Sequence, residues 1–585
     1  MKINRILTVL AFVSLVVCPS FVGAQSYDPD FSKSFPKDYF RHPLDVPIAI
    51  KGTFAEIRPN HFHGGVDFGV GGKVGEPIHA AADGYISRIS ISPWGGGKIL
   101  YVTHPNGFRT VYMHCNDFVG AIAAFAKNYQ YAQQSYAIDV TLPVDSIPVK
   151  KGQVIAHAGN TGGSMGPHLH LEFRYAENDQ NINPLYFGTP YSDPVAPTVR
   201  NIKVYPADEQ TLVNGGHSPL RMFDRQTVKG KTSSATRDTF RVQGRFYVGI
   251  YTTDVSETGS TSKNGVEKVE LYVDDTLYHI YSVPTILPGE TRGINAVIDY
   301  PEFQKSGEYY VITRFLPGDH TNVSIPMCNL GYISFGDRRL HKLEYRVSDY
   351  KGNTTKKRFY VRDLGPAKQS STDTSVDVKG EPIDYQLAKR IVRPGFEAQL
   401  KANTLYDNDI IAYQTFARAN FLGPCHSLEL VKNQLPPHSP IVVRLAVPEV
   451  DSSQLDHLVI VCINGKKENA LTTTREGDIL RAQSSNFGTF GVRLDTQAPS
   501  VNPQNISEGG TCPSVINIKM TDNLAGIATY NCYLNGKWVL AEYDGKNNLI
   551  SIDTRGAART GTNKFRVVIT DNAHNTYDRT FNLKK

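Results

Sequence analysis

A handful of side chains in this sequence have the types and spacing to do chemistry. "HFHGGVDF" places His63 four residues before Asp67, "VYMHC" carries His114, and "PHLHLEF" carries His168 and His170. Just upstream, Gly162-Gly163-Ser164-Met165-Gly166 matches the G-x-S-x-G pattern of serine hydrolases. A nucleophile elbow needs a strand before the serine and a helix after it. Pro167 follows Ser164 almost at once and "HLHLEF" alternates like a strand, so a glycine-rich turn entering a strand explains the segment better. Ser164 is therefore expected to be a turn residue, and a serine triad is rejected.

The histidines fit a metal site instead. Residues i and i+2 of a strand face the same way, so His168 and His170 project together, with Leu169, Leu171 and Phe173 packing behind them. Gly64-Gly65-Val66 is a poor helix, so a turn and a strand start must bring His63 and Asp67 together. "VYMHC" is expected to put Tyr112 and His114 on one strand face and Cys115 on the other. Imidazole and carboxylate donors suit zinc, and a catalytic zinc ion typically takes three protein ligands and keeps one position open. The chain has neither C-x-x-C nor H-E-x-x-H.

The elements that must position these residues are mostly strands. The sequence is 585 residues long, which predicts three or four domains, and its 49 Gly, 34 Pro and 31 Tyr lean towards strands and turns. "KILYVTHPNGFRTVYMHC" reads as two strands joined through Pro105-Asn106-Gly107. The best helical stretch is the Ala-rich "DFVGAIAAFAKNYQYAQQ", with Asp117 at its start. "GPAKQSSTDTSVDVKGEP" from Gly365 is polar and reads as a linker.

A weak repeat organises the C-terminal two-thirds. "DPVAPTV" at Asp193 recurs as "DTQAPSV" at Asp495, "TTDVSETGS" at Thr252 echoes "MTDNLAG" at Met520, and "VSDYKGNTT" at Val347 returns as "ITDNAHNTY" at Ile569. This predicts a duplicated Ig-like β-sandwich, at 191–364 with insertions and at 495–585, with linker 365–385 and a β-rich domain 386–494 between them. Repeated sandwiches of this kind are expected to act as spacers or adhesive modules.

Lys2 and Arg5 precede the apolar run "ILTVLAFVSLVV", and "FVGA" offers small residues before Gln25, so residues 1–24 read as a secretory signal peptide. Val17 is bulky where a lipoprotein signal ending at Cys18 needs a small residue. No other segment reaches about 18 uninterrupted apolar residues, so no transmembrane segment is expected after signal removal and the chain is read as exported. Formal charge is +6, and +4 without Lys2 and Arg5, with no clustered basic stripe; nucleic acid is excluded as a partner class. The remaining cysteines are too widely spaced for a disulfide framework; Cys512–Cys532 and Cys425–Cys462 are either bridges or buried free thiols.

Together, "GTFAEIRPNHFHGGVDFGV", "GEPIHAAADGYI", "VYMHC", "VKKGQVIAHAGNTGGSMGPHLHLEF" and the closing "NPL" resemble the lysostaphin/LytM-type zinc metallopeptidases, over about residues 48–186 of a domain read as 25–190. The resemblance implies a mainly β protein with an antiparallel β-sheet peptidase domain followed by Ig-like β-sandwiches. It implies one Zn2+ per chain held by His63, Asp67 and His170, with His114 and His168 as catalytic histidines and Arg58 and Asn60 near the cleft. The implied substrate is a stem peptide or cross-link of bacterial peptidoglycan, reached in the periplasm or cell envelope, with a cell-envelope partner for the Ig-like domains. The competing reading is a non-catalytic module that binds cell wall or activates another hydrolase. Simpler members of the family have a short connection where Cys115 to Val149 stands; that insertion either roofs the groove, restricts substrates or gates activity, or is a surface elaboration with no role. Glu172, on the strand face of His170, is either a partner fixing the ligand or a solvated strand residue.

Overall fold

The computed structural model describes residues 28–228, 231–256, 264–321, 323–367 and 380–585. The leader at 1–24 and most of the stretch read as a linker lie outside the described residues. Apolar alternation and the Pro105-Asn106-Gly107 turn produce the strands that frame the histidines. These are β1 (Ile50–Gly52), β2 (Val66–Gly69), β3 (Gly84–Ile91), β4 (Lys98–Thr103), β5 (Phe108–Met113), β6 (Ile138–Thr141) and β7 (His168–Tyr175). They pair antiparallel in the order β1-β2-β7-β5-β4-β3-β6. Leu169, Leu171 and Phe173 of β7 are buried, as their alternation predicts, with Val66, Leu100, Val102 and Val111. Truncating Leu169 to Ala removes a fully buried side chain and is expected to cost roughly 2–5 kcal/mol.

The Ala-rich segment forms helix α1 (Gly120–Gln133), which starts later than the sequence suggests. Asp117 lies in a two-residue strand and bonds His157 (2.5 Å), and Val119 takes the N-cap position without a side-chain bond. The carboxylate finds a stronger partner in an imidazole than in the helix N-terminus. The strand of the insertion, β6, pairs only with β3. That is four strand spacings from β7, about 19 Å. It extends the sheet at the edge away from the histidines and does not roof them.

The rest of the chain is built from paired sheets. Residues 198–363 supply a four-stranded and a seven-stranded sheet, 381–494 a six-stranded and a five-stranded sheet, and 500–584 two four-stranded sheets. One apolar core cluster runs from Phe35 through the strands up to Val361 and on into 512–583, whereas 383–492 enclose a second. Cys115, Cys425, Cys462, Cys512 and Cys532 are free and buried, so neither sequence-suggested bridge forms. Among the described residues no helix is long and apolar enough to cross a membrane.

Candidate metal centre

Register across β2 and β7 puts Asp67 directly opposite His170, on the same face of the sheet. His63 reaches them from the turn before β2, where Gly64 and Gly65 allow the backbone to pass against β7. A Cβ on Gly65 would collide with the Leu171 carbonyl and the His170 ring. His63 Nε2 lies 3.0 Å from Asp67 Oδ1 and 2.8 Å from His170 Nδ1, and His170 Nδ1 lies 2.9 Å from Asp67 Oδ1. All three side chains are buried. A tetrahedral ion with bonds of about 2.0–2.1 Å keeps its donors roughly 3.3 Å apart, so the three atoms need to open only slightly to hold one.

The groups behind the donors fix which nitrogens face inward. A carbonyl only accepts, so His63 donates its Nδ1–H to Thr53 O (2.7 Å) and leaves Nε2 bare. His170 Nε2 faces Glu172 Oε1 (3.1 Å), and Glu172 is in turn held by Arg174 Nε (2.7 Å). Arg58 donates to Asp67 Oδ2 (2.6 Å). Glu172 is buried, and of its two sequence readings the structure favours the partner that orients His170.

Electrostatics follow from this packing. Burial pushes His63 down to about 4. Burial also works against a charged His170, but its hydrogen bonds to Asp67 and Glu172 and their charges outweigh this and raise it to about 9. Burial opposes the Asp67 charge too, yet the imidazoles of His63, His168 and His170 hold its carboxyl well below the usual carboxylate range. The cluster thus draws a positive charge to the point where two ring nitrogens and a carboxylate oxygen converge. A metal ion can take that place by displacing the His170 proton.

Two more imidazoles stand beside the three donors. His168 Nε2 is 3.4 Å from Asp67 Oδ1, and its Nδ1 donates to Gly166 O (2.8 Å) with the Ser164 hydroxyl 3.2 Å away. The His114 ring centroid is 4.8 Å from that of His168 and 6.0 Å from that of His170. Strand alternation puts His114 with Tyr112, and here the structure departs from the sequence reading. Strand β5 ends at Met113, which pairs with His170. Tyr112 is buried in the core, and His114 takes a left-handed φ of 62° that turns it back to the His170 side. Its Nδ1 donates to Thr161 O (2.8 Å), leaving Nε2 as the free acceptor. Burial, then the neighbouring His170 and His168, push His114 down to about 3.

Ser164 is the turn residue the sequence predicts, with an added part: its hydroxyl donates to Gly166 O (2.7 Å) in the turn that holds His168. The contacts that sequence reasoning missed are backbone carbonyls, Thr53 O and Thr161 O, which leave no side-chain signature. A distant one is Lys546, from the C-terminal sheets, whose Nζ donates to Asn160 O and to Ser164 O (3.0 Å). Nearby, Lys98 pairs with Glu542 (2.8 Å) and Trp94 meets Tyr543 edge-on (5.9 Å). The loop that carries Thr161 and Ser164 is thus gripped by a hairpin almost four hundred residues downstream.

Comparison with known proteins places this geometry in a family. The model of Peptidase family M23 matches residues 61–128 and 128–184, within the span of the LytM-type motifs, so the chain carries a domain of that family. A Zu5-like domain matches residues 381–495, the region the sequence identified only as β structure. An "Uncharacterized metalloprotease" of Haemophilus influenzae is 34% identical over 158 residues, which is 26% of this chain and 27% of that protein. "DD-carboxypeptidase/endopeptidase Mpg" of Neisseria meningitidis serogroup B is 33% identical over 128 residues, 22% of this chain and 23% of its own length. "Peptidoglycan DD-endopeptidase ShyC" of Vibrio cholerae serotype O1 is 28% identical over 155 residues, 25% of this chain and 29% of its own. The chain thus spans about a quarter of the length of the curated relatives it matches.

Proposed function

We propose that this chain, through its peptidase family M23 domain, is an exported zinc peptidase that cleaves peptide bonds in the stem peptides or cross-links of bacterial peptidoglycan. The observation that carries this reading is the convergence of His63 Nε2, Asp67 Oδ1 and His170 Nδ1 within 3.0 Å, with His114 and His168 alongside. The donor set fits zinc, because two imidazoles and one carboxylate leave a fourth tetrahedral position for water. When bound, zinc supplies a Lewis acid for the scissile carbonyl and lowers the pKa of water to about 7.

The chain's own residues do the rest. Thr53, Arg58 and Glu172 hold the three donors in the orientation and tautomer that leave their inner atoms bare. With Nδ1–H fixed on Thr161 O, His114 presents Nε2 as an acceptor that stays neutral at physiological pH. His168, held through Nδ1 by Gly166 O, lies beside it with Nε2 3.4 Å from Asp67 Oδ1. Between them the two rings orient the attacking water, accept its proton and return one to the leaving amine. The names of the Neisseria and Vibrio relatives support a peptidoglycan substrate for this chain. Residues 1–24 support export to the periplasm or envelope. We read the regions 191–364 and 495–585 as Ig-like modules that hold the peptidase at the wall and supply a surface for an envelope partner.

The test is digestion of peptidoglycan sacculi by residues 25–585, with and without a zinc chelator and with His168→Ala alongside, read by mass spectrometry of the released muropeptides. Chelator-sensitive cleavage that His168→Ala abolishes is expected. Sacculi left intact by the zinc-loaded wild type, with protein bound to them, would overturn the enzyme reading.

A further inference from the structure

Away from the histidines, the sequence repeat converges on two groups of aspartates. Asp193, Asp254 and Asp349 bring one carboxylate oxygen each within 4.8 Å of one another, and Asp495, Asp522 and Asp571 do the same. Each of the six is the aspartate of one of the repeated strings. The closing D-x-x-x-N pattern builds the same turn in both copies. Asp349 Oδ1 accepts from the Lys351 and Asn353 N–H groups (2.8 and 3.0 Å), and Asn353 Nδ2 ties Asp349 Oδ2 to the Asp193 carbonyl (both 2.8 Å). Asp571, Asn575 and Asp495 repeat these bonds.

That turn organises the first cluster without identifying a ligand; two orphaned oxygens do. Asp254 is 3% exposed and Asn264 is 1% exposed, and Oδ1 of each is buried with no hydrogen-bond partner among the described residues. The two residues exchange both backbone hydrogen bonds (3.1 and 2.8 Å), so their side chains leave the same face of the pairing. The buried Tyr191 hydroxyl, which feels the charges of Asp193, Asp349 and Asp254, also lacks a partner among the described residues. Lys351 places its Nζ over the Tyr191 ring (4.1 Å). Burial pushes Asp254 up to about 7 and Asp193 up to about 6, each with help from neighbouring carboxylates. Buried acceptors without donors are costly, and a cation resolves them all at once.

We propose that Asp193, Asp254, Asp349 and the Asn264 amide oxygen form a binding site for a hard divalent cation of the calcium class. The donors are all oxygen, three of them carboxylates, with no imidazole or thiol to favour a softer metal. The C-terminal copy gathers more amide donors and leaves one buried oxygen without a partner among the described residues, Asp522 Oδ1, where the first copy leaves Asp254 Oδ1 and Asn264 Oδ1. Ala525 N–H donates to Asp495 Oδ2 (2.9 Å), and the Leu524 and Gly526 N–H groups donate to Asp522 Oδ2 (3.0 and 2.7 Å). The first site also backs onto the peptidase region. Gly265, next to Asn264, donates its N–H to Thr53 Oγ1 (2.8 Å), and Tyr350, next to Asp349, donates its hydroxyl to Phe54 O (2.7 Å). Thr53 is the residue whose carbonyl orients His63. A cation here anchors the segment behind a donor of the metal centre.

The test uses the full zinc-loaded chain in buffer freed of calcium. Terbium is titrated with excitation of tyrosine, CaCl2 is used as competitor, and Tm is measured with and without millimolar CaCl2. Wild type is expected to show sensitised terbium emission that calcium displaces, and a Tm that calcium raises. Asp254→Asn should bind at least tenfold more weakly and lose the calcium-induced rise, while its calcium-free Tm is no lower than wild type because a buried charge is gone. Asp193→Asn, at the more exposed corner, gives the same readout should Asp254→Asn fail to fold. Asp522→Asn should keep the full response. A wild type whose Tm ignores calcium, a full response in both Asp254→Asn and Asp193→Asn, or a response lost only in Asp522→Asn would each overturn the assignment.

Discussion

The candidate metal centre of the peptidase region and the aspartate cluster at 193, 254 and 349 each bring three side chains together from separate parts of the sequence. They differ in what stands behind the donors. Each donor at the metal centre has a partner on its outer side, Thr53 for His63, Arg58 for Asp67 and Glu172 for His170. Two further imidazoles stand beside it. In the aspartate cluster Asp349 is held by its own turn, but Asp254 Oδ1 and Asn264 Oδ1 have no hydrogen-bond partner among the described residues. Outer partners fix tautomer and direction, which chemistry at an open coordination position requires. A cluster in which oxygens are left unpaired supplies charge and reach, which suits a structural cation.

The two clusters separate most sharply under substitution of a donor. His170→Ala and Asp67→Ala are expected to lose bound zinc and with it all peptidase activity above background, while leaving the calcium-induced rise in Tm intact; metal analysis and calorimetry on the same samples check both. His114→Ala should keep its zinc and lose about 10²–10⁴-fold in kcat, the usual range for a removed acid–base group. Glu172→Gln should cost about 10–100-fold in zinc affinity, measured by competition with a chromophoric chelator.

Smaller effects test the β regions. His279 is buried against Ser324 Oγ (2.8 Å), and burial holds it down to about 3. Below an unfolded value of about 6.5 the unfolded chain binds a proton that the folded chain refuses, so this contribution to stability falls as pH drops from about 6.5 towards 3. His279→Gln should flatten the acid side of the Tm profile over that window; an unchanged slope would contradict the assignment. Lys546→Ala should lower kcat only about two- to five-fold, the 0.5–1 kcal/mol typical of a largely exposed charged contact, with zinc content unchanged.

Much of the candidate site's arrangement was legible because strand alternation is a strong constraint. "HLHLEF" put His168 and His170 on one face with the leucines behind, and the glycines after His63 marked a turn. The same logic misplaced His114, since alternation stops where a backbone enters the left-handed region, and nothing in "VYMHC" signals that. Thr53 O and Thr161 O act through the backbone, so no residue type announces them. Lys546 reaches the loop that carries Thr161 and Ser164 only through packing of the C-terminal sheets against the peptidase region. The repeat strings contained all six aspartates, but their convergence depends on sheet closure, and as sequence they read as architecture. Asp117 shows the converse: a good helix-start signal yielded to an imidazole partner that only the fold supplies.

The most direct test of the central claim is zinc K-edge X-ray absorption on the full chain loaded with one equivalent of zinc. The account predicts nitrogen and oxygen scatterers at about 2.0–2.1 Å with the outer-shell pattern of two imidazoles, and loss of that signature in His170→Ala. A sulfur shell at about 2.3 Å, or a spectrum unchanged by His170→Ala, would place the ion elsewhere and contradict the account.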